Sequence, residues 1–146
     1  MELDVALALA RATHQSVLTT IRRDGRPQLS NVLHAVREDG VIRVSTTATR
    51  AKFHNLRREP WVAVHVDGES FFSYAVIEGE AEVSPVAASP DDPVVDELVE
   101  LYRLMAGEHE DWATYRVAMV EERRAVVRIT PVRAYGLARL PRTSGT

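Results

Sequence analysis

The sequence predicts a mainly β fold with helices (α+β), a small antiparallel β-barrel decorated by helices. Short stretches of alternating apolar residues are separated by Asp-Gly pairs at 24–25, 39–40 and 67–68. Such pairs supply the positive φ that tight hairpin turns require. The two clearest helical patterns follow one another instead of alternating with the strands, which argues against a parallel α/β sheet.

The first half of the chain is predicted to begin with one short helix and three strands. Leu3, Leu7 and Ala10 recur with helical spacing, so a helix is expected over about 2–13. Period-two runs then predict a β meander joined by the first two Asp-Gly turns. Its strands are expected over 17–21, 28–36 and 41–45.

A second helix is predicted after this meander, over Arg50 to Arg58, with Pro60 ending it. Thr49 is expected to be its N-cap, which would place Lys52, the only lysine beside seventeen arginines, in the first turn. A cation there costs about 0.3–1 kcal/mol against the helix dipole. The junction therefore indicates a phosphate or carboxylate site, although the residues alone also allow two solvated surface cations.

The second half is predicted to continue with two strands, a helical pair and two final strands. Gly79 is expected to bend the second of these strands. Asp92 as N-cap and Pro93 as the first helical residue begin the helical pair, and Gly107 closes its first helix. The strands are expected over 61–66, 71–84, 125–129 and 133–137, and the second helix over 111–122.

Length and composition indicate one globular domain over 1–138 and a flexible C-terminal tail over 139–146. A net charge of −3 and a pI near 6.0 argue against a nucleic-acid-binding protein. The absence of cysteine excludes disulfides and thiol chemistry. The apolar stretch 5–10 is too short to span a membrane and follows acidic residues, so no signal peptide is expected and the cytoplasm is the expected location.

The common catalytic and metal-binding motifs are missing from the sequence. There is no Gly-x-Ser-x-Gly, no Gly-x-Gly-x-x-Gly and no P-loop, and the five histidines lack metal-ligand spacing. Glu78, Glu80 and Glu82 alternate along one strand, and we interpret them as a solvated outer face instead of an acid–base pair. No metal is therefore predicted, and redox chemistry would require a bound organic cofactor.

Strand two contains a polar run that favours ligand contact. Gln28 and Ser30 share one face of this strand, and Asn31 lies on the other. Pairing through the second Asp-Gly turn would place Ser30 and Asn31 beside the start of the anion loop. Hydrogen bonding inside a barrel is the alternative interpretation of the same residues.

Several segments spread over most of the chain carry a family resemblance, namely 24–31, 50–52, 55–58, 73–76, 78–79, 101–103, 107–109 and 111–112. Through them the chain resembles the split β-barrel flavin and deazaflavin oxidoreductases related to pyridoxamine 5′-phosphate oxidase. Together these segments look like the branch that uses coenzyme F420, and they are similar to actinobacterial biliverdin reductases dependent on that coenzyme.

The resemblance implies a homodimeric split barrel with two cofactor sites between the subunits. The cofactor phosphate would be held by Arg50 and Lys52 with support from Ser45 and Thr46. The ring would lie near Gln28, Ser30 and Asn31, and the partner would contribute Phe72 and Tyr74. Arg26 and Arg57 are candidates for binding an anionic substrate.

The implied activity is hydride transfer from reduced coenzyme F420 to a conjugated acceptor such as biliverdin. The cofactor would supply the hydride, so the protein mainly orients the reactants and no catalytic side chain is predicted. Two alternatives stay open, an FMN-dependent oxidoreductase of the same fold and a non-catalytic protein that binds the deazaflavin or a tetrapyrrole.

Overall fold

The computed structural model describes residues 1–138 and contains six strands and four helices. The predicted flexible tail, 139–146, lies outside the described residues. The helices are α1 Leu3–Ala12, α2 Ala51–Arg58, α3 Pro93–Ala106 and α4 Trp112–Glu121. The strands are β1 Gln15–Ile21, β2 Pro27–Val36, β3 Ile42–Thr47, β4 Trp61–Asp67, β5 Tyr74–Val83 and β6 Arg124–Leu137.

The strands close into an antiparallel barrel in the order β1-β2-β3-β6-β5-β4, which confirms the predicted fold class. The barrel is split between β2 and β3, because these strands pair only from His34 opposite Val44 to Val36 opposite Ile42. The residues of β2 that precede His34 do not pair with β3. This gap between β2 and β3 lies at the end of the barrel where α2 packs.

The barrel interior is filled by valine, leucine and isoleucine side chains from all six strands. Each of these contributes about 1.5–3 kcal/mol when fully buried. Ala6 and Ala10 of α1 pack into this core, and Leu56 of α2 joins it. The helices α3 and α4 instead pack against β6 through a separate cluster that includes Leu98 and Met119.

The ion pairs of Glu97 hold α3 against the outer face of β3 and β6. Its carboxylate accepts from Arg43 Nε at 3.0 Å and from Arg128 Nε at 2.8 Å. Burial raises the pKa of Glu97, but the hydrogen bonds from Arg128 and Arg43 outweigh it and hold that pKa below its usual value. These charges have a structural role and are not free to bind a ligand.

The predicted strand boundaries are wrong at two places. One continuous strand, β6, replaces the two short strands expected over 125–129 and 133–137. Its Pro131 lies opposite Gly79 at a β-bulge, where a missing ladder donor is tolerated. A bend was predicted at Gly79, and the structure has a β-bulge there, where a Cβ would meet the Thr130 carbonyl oxygen at 2.5 Å. Strand β5 begins at Tyr74, three residues later than expected.

The predicted helix ends are partly confirmed. Arg50 is the N-cap of α2 and makes no side-chain capping bond, so the prediction of Thr49 at this position is wrong by one residue. Thr49 instead forms a hydrogen bond with the Thr47 hydroxyl at 3.2 Å. Asp92 and Pro93 begin α3 as predicted, and Gly107 ends it with φ +80°.

The aromatic residues of the helical pair form one cluster at the surface of the domain instead of a deep core. Tyr102, His109, Trp112 and Tyr115 have ring centroids 5.1 to 5.6 Å apart. The Tyr115 hydroxyl donates to the Leu98 carbonyl at 3.1 Å, which joins α4 to α3. In the described part of the chain, no helix is long and apolar enough to cross a membrane.

Candidate functional site

The junction between β3 and α2 gathers positive charge. Arg50 caps the helix and Lys52 lies half-buried in its first turn. Burial lowers the pKa of Lys52, and the nearby charges of Arg50 and Arg124 lower it further. Neither Arg50 nor Lys52 forms an ion pair with a carboxylate of residues 1–138.

Arg124 is a member of this site that the sequence analysis missed. It lies opposite Thr47 at the start of β6, and its Nη1 donates to Ser45 Oγ at 3.3 Å. Its Nε and Nη2 donate to Glu122 at 3.0 and 2.8 Å. Only the pairing of β6 with β3 shows that Arg124 lies beside Ser45. Ser45, Arg50, Lys52 and Arg124 are called the anion cluster below.

Thr46 does not present its hydroxyl as directly as Ser45 does. The Thr46 side chain is buried inside the barrel, where Thr46 lies opposite Ala125 of β6. Its Oγ1 lies 3.5 Å from the Thr47 carbonyl oxygen. Ser45 lies on the outer face with Arg124. The structure therefore places Ser45, but not the Thr46 side chain, beside the cations.

A second polar group lies on the inner face of β2 at the same end of the barrel. Gln28 Oε1 accepts from the buried Thr20 hydroxyl at 3.1 Å. The Ser30 hydroxyl oxygen is buried and has no hydrogen-bond partner in the described chain. A buried hydroxyl without a partner is costly, so Ser30 and Gln28 mark a place where a polar ligand atom would be stabilised.

Asn31 faces the opposite side of β2, as the strand alternation predicted. It lines a cleft of about 400 Å³ on the outer face of the barrel together with Val17 and His65. One chain therefore does not bring Asn31 together with Gln28 and Ser30.

Phe72 and Tyr74 lie at the far end of the barrel from the anion cluster. They belong to the connection between β4 and β5 and to the start of β5, seven residues of strand away from α2. That strand length is about 20 Å. Phe72 is 67% exposed, and Tyr74 stacks on His65 with ring centroids 5.4 Å apart. Within one chain, neither residue reaches the anion cluster.

The two candidate substrate arginines are exposed at the same end as α2. Arg26 lies in the turn between β1 and β2, and Arg57 lies on α2 with its guanidinium 5.4 Å from the Phe53 ring centroid. Neither contributes to the anion cluster. In the described residues, no group of three or more histidine, aspartate or glutamate side chains could hold a metal ion.

These groups fit a ligand that carries both an anion and a polar ring. The anion cluster offers cations that the described carboxylates leave largely unneutralised, and Gln28 and Ser30 offer hydrogen bonds at the same end of the barrel. A sequence model described as pyridoxamine 5′-phosphate oxidase matches residues 4–138. The chain belongs to that family. Members of this family are generally oxidoreductases that bind flavin-type cofactors.

Solved structures with the same fold include proteins of several descriptions. A conserved hypothetical protein of Mycobacterium tuberculosis is 24% identical with a TM-score of 0.70, over 99% of this chain and 94% of that one. A protein described as an F420 reductase is 21% identical with a TM-score of 0.66, over 88% and 94%. A heme binding protein of Mycobacterium smegmatis is 16% identical with a TM-score of 0.68, over 96% and 55%. At these identities the likeness shows the fold alone.

Proposed function

We propose that this protein is a coenzyme F420-dependent oxidoreductase that transfers a hydride from the reduced deazaflavin to a conjugated acceptor, with biliverdin as the candidate acceptor. The observation that carries the proposal is the anion cluster. Burial and the charges of Arg50 and Arg124 lower the pKa of Lys52, so a bound anion would relieve the repulsion among these cations. A cofactor phosphate supplies that charge, and the amides of the first turn of α2 add donors.

Each part of the site then has a separate task. Arg50, Lys52 and Ser45 hold the phosphate, and Gln28 and Ser30 hydrogen-bond the polar edge of the ring. When bound, the reduced deazaflavin supplies the hydride, so the side chains need only bind, orient and exclude water. Arg26 and Arg57 are the candidates to pair with acidic groups of the acceptor, because a guanidinium binds a carboxylate through two hydrogen bonds.

The site is proposed to be completed by a second copy of the chain. One row of the outer face runs across five strands through Asn31, Val17, His65, Val76 and Tyr135. Four apolar or aromatic side chains in or beside this row are at least two-fifths exposed. They are Leu29 at 59%, Leu33 at 55%, Tyr135 at 52% and Leu137 at 41%.

A homodimer through this face would explain why the predicted site residues are separated within one chain. Exposed apolar faces of this kind mark protein interfaces. The partner would bring Phe72 and Tyr74 toward the anion cluster and would give Asn31 a place at the shared site. The cytoplasm, a reducing compartment, suits an enzyme of this kind without cysteine.

Binding and turnover experiments test the proposal. Titration with coenzyme F420 and with FMN under the same conditions should show tight binding of the deazaflavin only. Oxidation of the reduced coenzyme should then accelerate when biliverdin is added with the protein. Tight FMN binding without deazaflavin binding would instead support the FMN-dependent alternative.

The non-catalytic alternative is favoured by one observation, the likeness in fold to a heme binding protein. Storage and positioning of a cofactor use the same contacts, so binding alone does not separate them. Coenzyme binding without oxidation by biliverdin, quinones or enones would support the carrier function and contradict the proposed activity.

A further inference from the structure

A chain of hydrogen bonds runs from the surface of α2 to Gln28. Arg58 Nη2 donates to Asn55 Oδ1 at 3.4 Å, and Asn55 Nδ2 donates to Thr20 Oγ1 at 3.1 Å. The Thr20 hydroxyl then donates to Gln28 Oε1 at 3.1 Å. Thr20 is fully buried and Asn55 is 7% exposed. Arg58, Asn55 and Thr20 are called the relay below.

The direction of this chain is set by Arg58, because a guanidinium can only donate. Arg58 is itself held by the Ile21 carbonyl, to which Nη2 donates at 2.6 Å. The amide oxygen of Asn55 must therefore face Arg58, so its NH₂ group faces Thr20. Since the Thr20 oxygen accepts from Asn55, its single proton is left for Gln28.

The consequence for Gln28 is that its oxygen is occupied and its nitrogen is turned away from the relay. Gln28 Nε2 donates one N–H to the Leu29 carbonyl at 3.1 Å. The other N–H meets no acceptor in residues 1–138. Ser30 is two positions further along β2, on the same face as Gln28, and its hydroxyl also has no hydrogen-bond partner in residues 1–138. The relay thus presents Gln28 to this end of the barrel as a hydrogen-bond donor.

We infer that Arg58, Asn55 and Thr20 are positioning residues that make Gln28 donate a hydrogen bond to an acceptor atom on the cofactor ring, such as a ring carbonyl oxygen. The inference rests on the proposed function, because it takes Gln28 to face the ring. It also links the two halves of the site, since α2 carries both Lys52 of the anion cluster and Asn55 of the relay. One short helix then places the phosphate and orients the ring donor.

Substitution of Thr20 tests the relay directly. Thr20→Val keeps the shape but removes the hydroxyl, and Thr20→Ser keeps the hydroxyl. We expect Thr20→Val to bind coenzyme F420 about two- to tenfold more weakly, the range for one neutral hydrogen bond, and Thr20→Ser to bind it like the parent. Affinity for inorganic phosphate should be the same in both. Thr130→Val, an exposed threonine outside the relay, is the matched control.

Asn55→Asp provides a second test because it reverses the direction of the chain. A carboxylate can only accept, so the Thr20 proton would turn to residue 55 and Gln28 would present its oxygen to the ring. Coenzyme affinity should fall further than in Thr20→Val, in part because the new carboxylate lies three residues from Lys52 on the same helix. Melting curves identify any variant that is unfolded. Folded Thr20→Val and Asn55→Asp proteins that bind the coenzyme like the parent overturn the inference.

The side-chain amide resonances of Gln28 in ¹⁵N-labelled free protein separate this inference from the proposed function. They should shift in Thr20→Val and stay unchanged in Thr130→Val. Unchanged Gln28 resonances in Thr20→Val contradict the relay whatever the cofactor is. A parent protein that binds neither coenzyme F420 nor FMN contradicts the proposed function and the ring contact, while shifted resonances would still support the relay.

Discussion

Lys52 is held in a position that disfavours its own charge. Burial and the charges of Arg50 and Arg124 lower its pKa, so at neutral pH the protonated side chain destabilises the free protein. We expect Lys52→Ala to weaken cofactor binding by about 1.5–3 kcal/mol, the scale of a hydrogen bond to a charged group. The same change should leave the melting temperature of the free protein equal or higher. Calorimetric titration and thermal unfolding measure the two effects.

Arg57→Ala is the matched control for this prediction, since it removes an exposed cation from the same helix outside the anion cluster. It should leave cofactor affinity unchanged. Equal cofactor affinity of Lys52→Ala and the parent protein would contradict the assignment of the anion site.

Glu122 neutralises part of the anion cluster through its ion pair with Arg124. The pair measures 2.8 Å, and the Glu122 side chain is 44% exposed, so solvent screens it and its contribution is small. Glu122→Gln should free Arg124 and tighten the binding of inorganic phosphate by about 0.2–1 kcal/mol. Phosphate titrations at low ionic strength measure the change. Glu121→Gln, on the neighbouring exposed position, should have no effect, and an equal gain in both variants would indicate a general charge effect.

At the scale of the elements, His34 anchors α1 to the barrel. Its side chain is fully buried, with Nε2 donating to the Ala10 carbonyl and Nδ1 accepting from the Ser16 hydroxyl, both at 2.8 Å. Burial lowers the pKa of His34, and the Ala10 carbonyl only partly offsets this. The folded protein therefore resists protonation of His34 more than the unfolded chain does.

The stability that neutral His34 provides is complete above the unfolded pKa, about 6.5, and is lost as the pH falls through the lower folded pKa. The free energy of unfolding should decrease by up to about 1.4 kcal/mol per pH unit from this group. Urea unfolding between pH 7.5 and 5.5 measures the slope. His34→Gln should reduce it, while His54→Gln, an exposed control, should not; equal slopes in all three proteins would contradict the assignment.

Local sequence patterns predict the helices and strands, but which residues meet at the candidate site depends on how the strands pair. Asp-Gly turns and apolar alternation predict most strands because they depend on neighbouring residues. The continuity of β6 could not be predicted, since Pro131 is tolerated only where Gly79 forms a bulge on the adjacent strand. The place of Arg124 beside Ser45 could not be predicted for the same reason, because it depends on the pairing of β3 with β6. The position of Lys52 in the first turn of a helix could be predicted from the sequence, although the N-cap is Arg50 and not Thr49.

At the scale of the whole molecule, the predicted site is divided between two ends of the barrel. The anion cluster, Gln28 and Ser30 lie at the end where α2 packs, whereas Phe72 and Tyr74 lie beyond the other end of β4. A second copy packed on the outer face of the sheet is the proposed means of joining them. Oligomeric state and cofactor binding should therefore depend on the same surface.

Leu33→Glu tests this dependence, because Leu33 is 55% exposed on the outer face of β2 and its replacement puts a charge into the proposed interface. We expect the variant to be monomeric by sedimentation analysis, since burying an unpaired carboxylate is strongly unfavourable. It should also lose most of its cofactor affinity, because the partner residues are gone, yet keep its affinity for inorganic phosphate at the anion cluster. Leu104→Glu, a similarly exposed leucine on α3, is the control and should stay dimeric. A monomeric Leu33→Glu protein with full cofactor affinity would show that one chain forms the complete site.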